Sequence, residues 1–117
     1  AQGMLSEKYI NSIPKISRAY KNLSLEKKMI TKAYINKIKS LAKIAKKRDQ
    51  SVSQMALAWV LRKKQITSAL IGSRTIKQLN ECLDALNNLN FTKTELKAID
   101  KFAKEEKINI WEPSSRY

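Results

Sequence analysis

Between Thr67 and Leu89 the apolar pattern changes its period, and that change limits what this chain can fold into. Ser68-Ala69-Leu70-Ile71 is a short apolar run. Gly72-Ser73-Arg74 follows at once, and then come leucines at three- and four-residue spacing. The order predicts a strand, a tight turn and the start of an amphipathic helix. A run this short fits a helix equally well by periodicity alone, but Thr67 before it and Gly72 after it favour the strand. Such a junction suits an anion, because free N–H groups point out of the helix start and the helix dipole favours negative charge there. Ser73 adds a hydroxyl donor and Arg74 a full positive charge.

The rest of the chain reads as helices. Residues 1–22 are expected to be mostly loop, since Pro14 blocks helix continuity and holds Ile13 extended. A long helix is expected from about Thr31 to Lys47, burying Tyr34, Ile38, Leu41 and Ala45 on one face. Arg48-Asp49-Gln50 ends it. Ser51 and Gln54 have the spacing of a capping box and open a second helix. Val52, Met55, Ala56, Leu57, Trp59, Val60 and Leu61 surround that helix, so deep burial is expected, with Trp59 in the core. A third helix from about Thr75 to Asn87 is expected to bury Leu79, Cys82, Leu83 and Leu86. Thr92 and Glu95 form another capping box and open a fourth, burying Leu96, Ile99 and Phe102. The tail from Asn109 to Tyr117 carries Trp111 and Pro113.

At 117 residues this is one domain at most. No apolar run is long enough to span a bilayer and no signal peptide is visible. Cys82 is the single cysteine, so a reducing, cytoplasmic setting is the default, with a buried inert thiol as its simplest reading. The net charge of +14 invites a nucleic-acid or other acidic partner. The lysines, however, are spread along predicted solvent faces, and only Lys37 to Arg48 and Arg62 to Lys64 are dense. No zinc-ligand set or RNA-binding aromatic motif accompanies them, which argues against a nucleic-acid role.

Four blocks in order resemble the C-terminal part of the aldo-keto reductases: AQGMLSEKYINSIPKISR, SVSQMALAWVLR, LIGSRTIKQLNECLDALNNL and NIWEPSSRY. The subgroup they resemble holds the bacterial glyceraldehyde-type reductases and the β subunits of voltage-gated potassium channels. The resemblance implies the C-terminal third of a TIM (β/α)8 barrel, mainly α in this stretch, with about four helices and one or two short strands. Residues 1–22 would be the loop after strand 7, 23–63 helices, 67–72 strand 8, 73–108 the C-terminal helices and 109–117 the tail. The resemblance thus implies a partial reductase domain, from a family that reduces aldehydes and ketones.

The resemblance also implies NADPH as cofactor. Gln2 and Gly3 match the strand-end loop whose backbone meets the pyrophosphate, and Lys8 matches a lysine that reaches the phosphates. Arg18 matches an arginine closing over the 2′-phosphate. Gly72 and Ser73 match the turn where the backbone approaches the cofactor, and Arg74 stands where the subgroup often has a serine on the 2′-phosphate. Gln78, Glu81 and Cys82 match positions at the adenine edge. Several of these have plainer readings. Gln78 completes a capping pattern with Thr75, Glu81 and Arg74 suit an exposed helix surface, and Lys8 is one lysine among many. Cys82 departs from the family's asparagine, and a thiol is a poor substitute for an amide donor.

No catalytic or metal-ligating residue is assigned. The family's catalytic Asp, Tyr, Lys and usually His lie on earlier strands, and this chain contains no histidine. None of its four tyrosines stands in the catalytic context, and Tyr9 reads as packing. The chain alone is therefore expected to be inactive. It is also expected to associate with itself or with the remaining portion of a barrel, because a lone strand and apolar helix faces need cover. The alternative is a non-enzymatic basic helical module that binds an acidic partner or nucleic acid.

Overall fold

The computed structural model describes residues 3–15, 17, 20, 21 and 30–103. Four helices carry the fold: α1 (Lys32–Lys47), α2 (Val52–Leu61), α3 (Ile76–Leu83) and α4 (Lys93–Phe102). Single 3₁₀ turns lie at Glu7–Tyr9 and at Asp84–Asn87. Helix α1 packs against α2, α4 and the Glu7–Tyr9 turn, while α3 meets α2.

Local chemistry explains the boundaries. The Thr31 hydroxyl accepts from the Tyr34 N–H at 3.0 Å and starts α1. At the other end Asp49 takes a left-handed φ of 55°. Its N–H then reaches the Lys46 carbonyl at 3.1 Å and that of Gln50 reaches Ala45 at 3.0 Å, a double closure of the last turn. Both expected capping boxes form. Ser51 and Gln54 exchange bonds of 3.2 and 2.8 Å, and Thr92 and Glu95 exchange bonds of 3.1 and 2.8 Å.

Tyr34, Ile38, Leu41 and Ala45 form the buried stripe of α1, as their spacing predicts. With Met4, Tyr9, Val52, Met55 and Ile99 they make the core. Tyr9 is buried packing, and Leu96 and Phe102 flank Ile99 half-buried.

Three expectations are corrected. No strand occurs among the described residues, and residues 67–72 form an irregular link between α2 and α3. A strand exists only as a ladder with a neighbour, and no such neighbour lies among the described residues. The apolar stripe of α3 is likewise not buried: Leu79, Leu83 and Leu86 are exposed, Cys82 is half-buried and Ala85 alone is covered. Its last expected turn tightens into the 3₁₀ turn. Helix α2 buries Val52, Met55 and Ala58 only. Its far side, with Leu57, Trp59 and Val60, opens onto a cleft. Trp59 is therefore a half-buried wall residue, with the Arg62 guanidinium 3.7 Å above its ring.

Arg48 was legible only as part of a helix break, but it is a buried hub. Its guanidinium donates to Gln50 Oε1 (3.0 Å), to the carbonyls of Asn88 (3.0 Å) and Asn90 (2.7 Å), and to Glu95 Oε2 (3.0 Å). It also stacks 3.7 Å from the Phe91 ring. These contacts lock the segment between α3 and α4 against the end of α1. No helix among the described residues is long and apolar enough to cross a membrane.

Candidate functional site

The cleft beside α2 encloses about 760 Å³ and is walled largely by apolar side chains. Gly3, Gly72 and Cys82, which are distant in sequence, all line it. Two hydrogen bonds place the Gly3 edge. Buried Tyr34 donates its hydroxyl to the Met4 carbonyl at 2.6 Å, and Ser53 donates to the Leu5 carbonyl at 3.0 Å. Gly3 itself has a φ of +79°, the left-handed region where glycine is unstrained, and its carbonyl accepts from Ser6 at 2.5 Å.

Gln54 secures the opposite edge. Its oxygen caps Ser51, and its amide nitrogen donates to the Glu81 carbonyl at 2.9 Å, which fastens α3 to α2 one residue before Cys82. Ser53 and Gln54 are thus the positioning residues of the cleft. The sequence marks Gln54 only as a capping partner and gives no sign of Ser53.

Gly72 needs a different explanation from Gly3. Its φ is not left-handed, and a Cβ built on it meets nothing within 4 Å. No neighbour within the chain therefore requires glycine here, and open space adjoins the backbone at the rim of the cleft.

Of the other cofactor candidates, Ser73, Arg74 and Gln78 lie at the start of α3 and Glu81 near its end, and none of the four lines the cleft. Ser73, Arg74, Gln78 and Glu81 are exposed. The Gln78 side chain is engaged locally: its oxygen accepts from the Arg74 N–H at 2.9 Å, while Thr75 accepts from the Gln78 N–H at 3.2 Å. The expected Thr75–Gln78 capping box is therefore half realised, with its return bond shifted outward by one residue. That bond fixes the Arg74 backbone and leaves the guanidinium in solvent. Cys82 is half-buried at the cleft wall rather than fully enclosed. Lys8 is exposed, 5.5 Å above the Tyr9 ring. Gln2, Arg18 and Trp111 lie outside the described residues.

The aldo/keto reductase family model matches residues 1–104. This chain belongs to the aldo/keto reductase family. Relatives named L-glyceraldehyde 3-phosphate reductase in two Escherichia coli strains are 41% and 42% identical over 119 residues, covering 98% of this chain and 34% of theirs. A putative voltage-gated potassium channel subunit beta of Schizosaccharomyces pombe is 30% identical over 104 residues, covering 85% of this chain and 30% of its own length. The chain spans about a third of the length of these relatives. Family membership supports an oxidoreductase setting and a nicotinamide cofactor, and lends nothing to the basic-module reading.

Proposed function

We propose that this chain supplies part of the NADPH site of an aldo/keto reductase that reduces aldehydes or ketones, and that it does not catalyse the reaction by itself. The observation that carries this reading is Gly72, a glycine with open space at its Cβ position, at the rim of a cleft shared with Gly3. Beside it, the fixed backbone and free guanidinium of Arg74 suit a phosphate. Lys8 would add a second cation near the Gly3 edge, and Ser73 a hydroxyl donor. Gln78 would act first by holding Arg74 in place, with its amide nitrogen left for the adenine. Glu81 and Cys82 would border the adenine.

NADPH, when bound, supplies the hydride. The tyrosine, lysine, aspartate and histidine that handle the proton in this family have no counterpart assigned here, and the chain has no histidine. A second polypeptide portion carrying them would complete the barrel. The name of the bacterial relatives makes L-glyceraldehyde 3-phosphate the first substrate to try on the completed enzyme.

The test compares NADPH with NADH by tryptophan fluorescence. Saturable binding that favours NADPH, and loses that preference in Arg74→Ala, supports the reading. Equal or absent binding of the two nucleotides contradicts it.

A further inference from the structure

Two consecutive side chains in the first turn of α2 tie that helix to two stretches far apart in sequence. Ser53 and Gln54 lie about 100° apart round the helix, so they reach different neighbours. Ser53 donates its hydroxyl to the Leu5 carbonyl, two residues beyond Gly3. Gln54 donates its amide to the Glu81 carbonyl, one residue before Cys82. The turn that carries them is itself fixed, because Val52, Met55 and Ala58 are buried and the Ser51–Gln54 capping box closes its start. It is a rigid bracket between the Gly3 edge and α3.

The two tied stretches differ in what else holds them. Residues 3–5 have a second tie, the Tyr34 hydroxyl on the Met4 carbonyl. Helix α3 buries no residue of its own, and residues 63–68 leading to it are exposed. Its pose is set from its C-terminal end, by Gln54 on the Glu81 carbonyl and by the Gln50 amide on the carbonyls of Ala85 and Asn88. Of these, the Gln54 bond is the one made to α3 itself, beside Cys82. All of these contacts are made within the chain.

We propose that Ser53 and Gln54 set the span of the nucleotide site, each positioning a different half of it: Gln54 the adenosine end borne by α3, and Ser53 the pyrophosphate edge at Gly3. The proposal rests on the cofactor reading above. Neither side chain touches the nucleotide, and each acts through the carbonyl it holds. A ligand gripped at two places binds best when both are fixed beforehand at the right separation.

Calorimetric titration of the 117-residue chain with NADPH and with adenosine 2′,5′-bisphosphate tests it. The bisphosphate carries the adenosine end and lacks the nicotinamide half with its phosphate. Gln54→Glu keeps an acceptor for the Ser51 N–H and loses the donor to Glu81, whereas Gln54→Met loses both without adding a charge. Each weakens the two ligands alike, about fivefold. Ser53→Ala weakens NADPH to a similar degree and leaves the bisphosphate unchanged. Ser53→Thr keeps the hydroxyl and binds both as the parent does. A general loss of stability weakens both ligands in every variant, so the split between them identifies positioning. If the parent binds NADPH but the split is absent, or Ser53→Thr binds no better than Ser53→Ala, the proposal is overturned and the cofactor reading stands. A parent that does not bind NADPH overturns the cofactor reading and the proposal together.

Discussion

The Arg48 guanidinium lies 3.0 Å from the Glu95 carboxylate, with the arginine side chain 2% exposed and the glutamate 26%. This pair joins the end of α1 to the first turn of α4. Removing the arginine strands the Asn90 carbonyl, leaves the Asn88 carbonyl with its Gln50 bond alone, and takes the counter-charge from the Glu95 carboxylate. Arg48→Ala is expected to cost about 3 kcal/mol, measured by urea denaturation. A cost below about 1 kcal/mol contradicts the hub.

The same pair gives a pH dependence. Burial pushes the Glu95 carboxyl upward, but the Thr92 N–H and the charge and hydrogen bond of Arg48 outweigh it and hold the pKa below its ordinary value. A carboxyl lowered in the folded state adds stability above its unfolded pKa and loses it as pH falls through the folded one. Glu95→Gln is therefore expected to flatten the acid limb of a melting-temperature profile. An unchanged acid limb counts against the pair.

Tyr34 acts at the other end of the pH scale. Burial, with a smaller contribution from Tyr9, raises its hydroxyl from 10.0 to about 12. The proton on that hydroxyl is donated to the Met4 carbonyl. Stability from this group is complete below pH 10 and is lost as pH rises through about 12. Tyr34→Phe leaves the carbonyl unpaired, costs about 1–2 kcal/mol and loosens the Gly3 edge of the cleft. Amide exchange in residues 3–5 reads the loosening.

What could be read from the sequence was what neighbouring residues decide. Ser51 with Gln54 and Thr92 with Glu95 specify their own helix starts, and the spacing of Tyr34, Ile38, Leu41 and Ala45 names the buried face of α1. What failed depends on distant partners. Residues 67–72 have the composition of a strand but no ladder beside them, and Leu79 and Leu83 have the spacing of a buried face with nothing over it. Arg48 finds its partners some forty positions away, beyond the reach of any local pattern. The candidate site divides in the same way. The Thr75 and Gln78 bonds at the start of α3 are local and legible, whereas the placing of Gly3 and Gly72 on one cleft needed the fold.

Cys82 tests the adenine edge. Cys82→Asn supplies an amide donor that the thiol lacks, and NADPH binding is expected to tighten several-fold. Cys82 is half-buried at the cleft wall. Unchanged or weaker NADPH affinity, in a variant that keeps its helical spectrum, removes Cys82 from the site.

The central claim is that the Gly72–Arg74 segment belongs to a nucleotide site and not merely to a basic surface. The most direct measurement is a fluorescence titration of the chain with NADPH at two salt concentrations, with inorganic phosphate as competitor. The account predicts saturable binding that persists at the higher salt, resists phosphate and weakens in Arg74→Ala. Binding that disappears with salt, or that phosphate displaces as readily as NADPH does, would contradict it.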